Sequence, residues 1–297
     1  MYNFIRSICG VFIFITFAVS ACQAGSSKGT NVKPLPPFMN GMWQVTKVYI
    51  DTGASRRNIT RDDKFNDYIF LGRILSVSPR TIAINTPADK PCSMPEFDIK
   101  PTTVKALIDN SISTRLPGGT APPVKDMKLP LLANDKVDVH YLMCEGKPAS
   151  KNRGSVVEEN LSNAVWFIVM SEQSLLMSWR KETILLLEPV TNDTKPVASY
   201  NCAKAGTVVE KTICGSVGLA AYDKSVSETY KKIRAYYRSK PNTDKYIKAL
   251  KKNQREWLKK RDSCGSDEKC LEKSMSKRVS FMEYKFGDYL YETRNKF

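Results

Sequence analysis

The sequence predicts an α+β protein in two parts, a β-rich barrel or sandwich followed by an all-helical, disulfide-bonded domain. Three observations carry that expectation. Between residues 40 and 190 the apolar residues come in short runs, rich in β-branched and aromatic side chains and separated by turn material. After about residue 200 the apolar period changes from two to roughly 3.6 residues. Four of the eight cysteines, Cys202, Cys214, Cys264 and Cys270, fall within that second stretch. A chain of 297 residues, 42% of them hydrophobic, is long enough to bury two such cores.

Residues 1–21 read as a secretion signal, with Arg6 as its basic start, residues 11–19 as its apolar run and small residues at its end. That run is short of the ~20 residues a membrane-spanning helix needs. Val19-Ser20-Ala21-Cys22 resembles the bacterial lipobox, which implies cleavage before Cys22 and lipid attachment, palmitate included, at that residue. Several acyl chains hold a protein stably on a bilayer, where one alone binds marginally. Gln23, in place of Asp, implies sorting to the outer membrane, with the chain facing the periplasm. Residues 22–39, rich in Gly, Ser and Pro, read as a flexible tether.

Within residues 40–190 the candidate strands are 42–50, 68–77, 81–85, 137–143, 165–170, 175–180 and 183–188, with one helix over 102–113. Gly41-Met42-Trp43 resembles the Gly-x-Trp start of lipocalin-like barrels, a resemblance in which Arg180 would cover the indole. Cys92 and Cys144 are left over once Cys9 goes with the signal and Cys22 is lipidated, so in an oxidising compartment they most simply bridge to each other. That bond would restrain a Pro-rich excursion over residues 116–132.

Two features of this region invite a catalytic reading that does not hold. Asp51-Thr52-Gly53-Ala54 looks like an aspartic protease turn, and Ile69-Phe70-Leu71-Gly72-Arg73 like a segment of the retroviral type. Only about fifteen residues separate them, too few for the intervening strands of such a fold, so the first reads as a polar hairpin turn. His140 is the single histidine. On its strand it shares a face with Asp138 and Leu142, and no serine or cysteine nucleophile pairs with a better base. The chain reads as a non-enzyme without cofactor or metal.

Residues 191–199 form a polar linker closed by Lys195-Pro196. The helical domain, 200–297, then shows three stripes. Leu219, Tyr222, Val226, Tyr230, Ile233 and Tyr237 mark the first helix, and Leu271, Met275, Arg278, Met282 and Phe286 the third. Tyr246, Leu250, Gln254, Trp257 and Arg261, at steps of four, four, three and four, mark the buried face of the second. Lys248, Lys252, Arg255 and Lys259 share the opposite, solvent-facing side and are the candidate partner-binding residues. Pro241-Asn242-Thr243 is expected to cap the second helix, and Gly265-Ser266-Asp267 the third. Asp223 and Arg261 would pair as a structural anchor, because burying their charges apart is costly, and Trp257 reads as core. The spacings favour local bridges, Cys202 to Cys214 and Cys264 to Cys270, although four cysteines allow three connectivities. No Cys-x-x-Cys pair suggests zinc.

The same stretch resembles a known family. Residues 200–205, 209–214, 219–223, 254–264 and Cys270-Leu271 follow the pattern Tyr-x-Cys-x-x-Ala, Val-Glu-Lys-x-Ile-Cys, Leu-x-x-Leu-Asp, Gln-x-x-Trp-Leu-x-x-Arg-Asp-x-Cys and Cys-Leu of LprI-type lysozyme-inhibitor domains. Tyr222 departs from it, standing where the family usually has Leu. The resemblance covers about the last third of the chain. It implies a helical envelope domain and, for some members, lysozyme inhibition.

Charge bears on the partner. The chain carries +16, and residues 200–297 hold 23 Lys and Arg against 12 Asp and Glu, a net +11 that leaves +5 for the longer remainder. An anionic partner is implied, and export argues against nucleic acid. Common animal lysozymes are themselves basic, so an acidic toxin from a competing bacterium or an anionic envelope polymer suits the field better. The expectation is a lipid-anchored binder that inhibits a cell-wall hydrolase. The alternative is an accessory that holds peptidoglycan or a membrane complex, and transport by a lipocalin-like barrel is a third.

Overall fold

The computed structural model describes residues 32–53, 65–86, 91–112, 121–150, 161, 164–179 and 183–294, with side chains to residue 282. The signal, residues 22–31 with Cys22, and Arg180 lie outside the described residues, whereas residues 32–39 of the expected tether are part of the fold: Val32–Pro34 pairs with Glu96–Asp98 and Met39 is fully buried. The fold is α+β, an antiparallel sheet region followed by four helices, and the described residues all belong to one compact unit, Asn31–Phe297.

Among the described residues the sheet has eleven strands: β1 (Val32–Pro34), β2 (Gly41–Tyr49), β3 (Ile74–Val77), β4 (Thr81–Ile84), β5 (Cys92–Ser93), β6 (Pro95–Thr103), β7 (Lys136–Cys144), β8 (Lys147–Pro148), β9 (Trp166–Ser171), β10 (Ser174–Trp179) and β11 (Thr183–Pro189). Their order is β1-β6-β7-β9-β10-β11-β2-β3-β4-β5, with β8 beside β7. The sheet curls back on itself, because β5, at one end of that order, runs into β6 through the single residue Met94. The Cys92–Cys144 disulfide joins β5 to β7 across the seam, and Glu145 N donates to Ser93 O at 3.1 Å beside it.

Alternation sorts the side chains. Trp43, Leu75, Phe97, Leu142, Phe167 and Leu185 fill the core enclosed by the curled sheet, and Trp43 Nε1 donates to Met39 O at 2.8 Å. Their neighbours Trp166, Ile168, Leu176 and Ile184 face the other way, against α1 (Val104–Ser111) and α2 (Val124–Met127). With both faces covered, the strands read as near-continuous apolar runs.

Several expectations need correction. The strand expected over 68–77 begins only at Ile74; residues 68–72 are turns. The excursion over 116–132 contains a short helix, α2. Strand β6 was not foreseen, because Pro95, Glu96, Asp98, Lys100 and Pro101 read as loop. Pro95 opens the strand, and Pro101 lies beyond the reach of β1, which pairs only with Glu96, Phe97 and Asp98, so neither proline interrupts a central ladder on both sides. Asp51 is buried in a turn where its carboxylate accepts Gly53 N at 2.9 Å.

The helical region comprises α3 (Val208–Cys214), α4 (Val217–Arg238), α5 (Asp244–Asp262) and α6 (Glu268–Arg294). Leu219, Val226, Leu250, Leu271, Met275 and Val279 build its core. Thr243 corrects the expected cap: it precedes α5 but makes no side-chain bond to it. Its hydroxyl donates back to Tyr237 O and, at 2.9 Å, to Lys240 O, so it ties off the end of α4. Asp267 accepts Cys270 N at 3.0 Å and caps α6.

The sheet and the helices meet over residues 68–74 and α4. Arg73 is fully buried, its guanidinium carbon 3.3 Å from the centre of the Tyr222 ring, and its Nη2 donates to Leu71 O at 3.1 Å and Ser225 Oγ at 2.9 Å. Tyr222 donates to Asn85 O, and Asn85 Nδ2 to Glu272 Oε2 of α6 at 3.4 Å. Gly72, at φ +80°, permits the approach; a Cβ there would sit 2.6 Å from the Ala221 Cβ. Ile69 packs against the cores of both regions. Tyr222, with Ala221, Ser225 and Glu272, is among the helical residues that engage the sheet region.

Candidate functional site

The candidate site is built on α5, which packs against α4 and α6. Its inner side carries Leu250, fully buried, and the half-buried Tyr246, Gln254, Trp257 and Arg261. Tyr246 stacks on Tyr237 of α4 with ring centres 5.4 Å apart, which fixes the start of α5. The other end is closed by the Cys264–Cys270 bond into α6, while Cys202–Cys214 joins the entry turn to α3.

Around Trp257 the charges are arranged in detail. Arg261 and Arg278 each place a guanidinium carbon 5.4 Å from its ring. Arg278 is buried, and its Nε and Nη2 donate to Gln254 Oε1 at 3.1 and 2.7 Å, its Nη1 to Asn253 Oδ1 at 2.6 Å. Burial lowers its pKa to about 10, so it stays charged at neutral pH. Arg261 Nη1 lies 3.4 Å from Asp223 Oδ1 and its Nη2 2.7 Å from Asp262 Oδ1, so the anchor is a three-residue set in which the neighbour on the same helix is closer. The other Asp223 oxygen accepts Ser199 N at 2.9 Å. Tyr200 donates to Glu210 O at 3.0 Å, and burial with the nearby Asp223 pushes its hydroxyl up to about 12. Glu210, in a capping box with Thr207, accepts the amides of Thr207 and Gly206, which hold its carboxyl below the usual range.

The outer side of α5 is different. Lys248, Lys252, Arg255 and Lys259 are all exposed, as are Lys245, Lys251 and Lys260 beside them. Among the described residues none of these seven forms an ion pair. Elsewhere Lys105 pairs with Asp109 and Lys231 with Glu228 along their own helices.

In the sheet region, His140 packs edge-on against Phe97 with ring centres 5.5 Å apart, and its Nδ1 lies 3.2 Å from Asp138 O. Burial lowers its pKa. No group of three His, Cys, Asp or Glu among the described residues could hold a metal ion. No described helix is long and apolar enough to cross a membrane.

Sequence reasoning missed two features here. Helix α3 was too short for a period to show, although Thr207 and Glu210 three residues apart are a capping-box signature. The clamp on Arg278 was hidden by its place on an apolar stripe. A cation at such a position, facing a helix with adjacent amides at Asn253 and Gln254, was the available signal.

The arrangement is a helical module stapled by two disulfides, backed by a sheet, with exposed cations along the outer side of α5. Residues 199–285 match the family model of the lysozyme inhibitor LprI, an inhibitor domain rather than a catalytic one, and the match takes in α3, α4, α5 and most of α6. Comparison with curated proteins finds no match, and comparison with solved structures finds none either.

Proposed function

We propose that this chain is a non-enzymatic, lipid-anchored protein of the periplasm that binds and blocks a cell-wall hydrolase, either lysozyme or a toxin delivered by a competing bacterium. The observation that carries the reading is the coincidence of the inhibitor-family match with a complete, doubly disulfide-bonded helical unit. Rigidity suits the task, since a preordered surface loses little freedom on binding. Both ends of α5 are held, and the sheet covers the adjacent face of α4. The environment of His140 supports a structural role for it rather than a catalytic one.

The test is inhibition of purified muramidases, one basic and one acidic, clearing a peptidoglycan suspension in the presence of the protein. Stoichiometric block of either supports the reading. Activity unchanged in both, with the protein retained on isolated sacculi, would favour the envelope-accessory alternative. Cys22→Ala should release the protein from membranes without unfolding it, because anchoring and folding rest on separate parts of the chain. Tight membrane association of that variant would contradict lipidation at Cys22.

A further inference from the structure

The inhibitory reading leaves open which surface meets the partner and what the partner must look like. We propose that the outer face of α5, centred on Lys248, Lys252, Arg255 and Lys259, is the docking surface, and that it fits an acidic patch on the blocked hydrolase. The inference rests on the function proposed above and adds the chemistry of the partner.

Three observations support it. The four cations are exposed and without ion pairs among the described residues, although like charges lie three and four positions apart: Lys248 with Lys252, Lys252 with Arg255, Arg255 with Lys259. Such pairs repel. On α1 and α4 Lys105 and Lys231 meet acids at that spacing, whereas on α6 the exposed Lys269, Lys273 and Lys277 form no ion pair among the described residues either; the row on α5 is the longer one, four cations against three. The acids of α5 are few: Asp244 lies four positions before Lys248 and Glu256 four after Lys252, yet among the described residues neither forms an ion pair with the row, and Asp262 is engaged by Arg261. A counter-surface would therefore bring the negative charge this face lacks.

The geometry favours a folded protein over a lipid or a polymer. At about 1.5 Å per residue the row is straight over roughly 16 Å, on a helix held at both ends. It presents cations in fixed register, which matches carboxylates that are themselves fixed. The face offers nothing to insert into a bilayer: the large exposed apolar side chains, such as Met94, Leu132 and Val208, lie on other elements, and Leu250 is buried. The net +11 of residues 200–297 repels a basic lysozyme at long range and attracts an acidic enzyme, which places the selection in the encounter step.

The test compares the intact chain with its quadruple variant Lys248→Glu/Lys252→Glu/Arg255→Glu/Lys259→Glu, shown by circular dichroism to be folded. Each is presented to four probes at two ionic strengths: an acidic muramidase, a basic one, vesicles of phosphatidylglycerol with phosphatidylethanolamine, and isolated sacculi. The expected result is block of the acidic muramidase by the wild-type chain, an association rate at least about tenfold lower in the variant, and a wild-type rate that falls toward the variant's as salt rises. Equal block and equal rates in a folded variant would overturn the surface while leaving the inhibitory function standing. Block of the basic enzyme alone would overturn the acidic partner, and a loss seen only on vesicles or sacculi would reassign the face to lipid or polymer. If the wild-type chain blocks neither enzyme, the function falls and this surface with it. A quadruple Gln variant, which cannot repel an acidic partner, should lose part of the rate; no loss there would also count against the proposal.

Discussion

The helical region meets positive charge on two sides, with opposite outcomes. Where α4 meets the sheet, one guanidinium, Arg73, is sealed from water and held by the Tyr222 ring, Ser225 Oγ and Leu71 O. On the outer side of α5, seven cations stand exposed without an ion pair among the described residues. The first is structural chemistry: desolvation pulls the Arg73 pKa down to about 10, still well above neutral, with Nη2 on two oxygens and the guanidinium over the Tyr222 ring while Nε and Nη1 are buried without a hydrogen-bond partner. The second carries little folding free energy, since exposed charges interact weakly with one another through water. Positive charge around α4 and α5 thus serves two ends: Arg73, supplied by the sheet region, holds the contact, and the exposed row on α5 faces outward.

The contrast is tested most severely at the buried face. Gly72→Val would place a branched side chain at a positive φ and against Ala221, so a loss of about 3 kcal/mol or more is expected, from left-handed strain together with overpacking. Urea denaturation followed by circular dichroism measures it, and an unchanged midpoint would mean that sheet and helices do not press together at that point. Next comes Trp257→Ala on the inner side of α5, which removes the ring between Arg261 and Arg278. Core truncations of this type cost about 3 to 5 kcal/mol, and the half-buried position puts this one near the lower end.

A smaller effect is expected for Ser225→Ala, which deprives Arg73 Nη2 of one acceptor inside the interface; about 1 to 2 kcal/mol is the cost of leaving a buried donor short. Thermal melts of the variant, with Ser225→Thr as a hydroxyl-retaining companion, would separate the lost bond from a general packing change. The smallest effect should have the opposite sign. Arg255→Gln removes repulsion with Lys251, Lys252 and Lys259 while conserving helix propensity, so stability should stay level or rise by roughly a few tenths of a kcal/mol. A clear loss would show that Arg255 is holding the fold and belongs with Arg73 rather than with the solvent row.

Much of the fold was legible because the two periods are strong local signals. The switch near residue 200 separates strands from helices, and α5 begins and ends where its stripe does, at Asp244 and Asp262. Strand β6 was not legible because its two prolines and three charges argue against a strand locally, and only its neighbours β1 and β7 make it one. The start of β3 was misplaced because residues 68–72 carry strand-like apolar side chains but fold as turns, with Phe70 and Leu71 packed into the sheet core and Ile69 against both cores. Thr243 has the composition of a helix N-cap, yet its hydroxyl donates back to Tyr237 O at the end of α4 and to Lys240 O just beyond it. On the site side, helical spacing placed Lys248, Lys252, Arg255 and Lys259 on one outer face, while the clamp of Asn253 and Gln254 on Arg278 depended on a second helix.

By itself the sequence determined the features that spacing along the chain encodes: the α+β class, the family resemblance of the last third, the amphipathic stripe of α5 and the excess of positive charge there. Periodicity and composition are properties of neighbouring residues, so no partner element is needed to read them. Only the tertiary structure decided that the sheet closes through Cys92–Cys144, that Gly72 and Arg73 bind the helical region to it, and that Tyr222 serves this contact. Those choices join residues as much as 152 positions apart, as Arg73 and Ser225 are. Which cation is buried and which is left in water is settled by how the elements pack, and no local pattern encodes it.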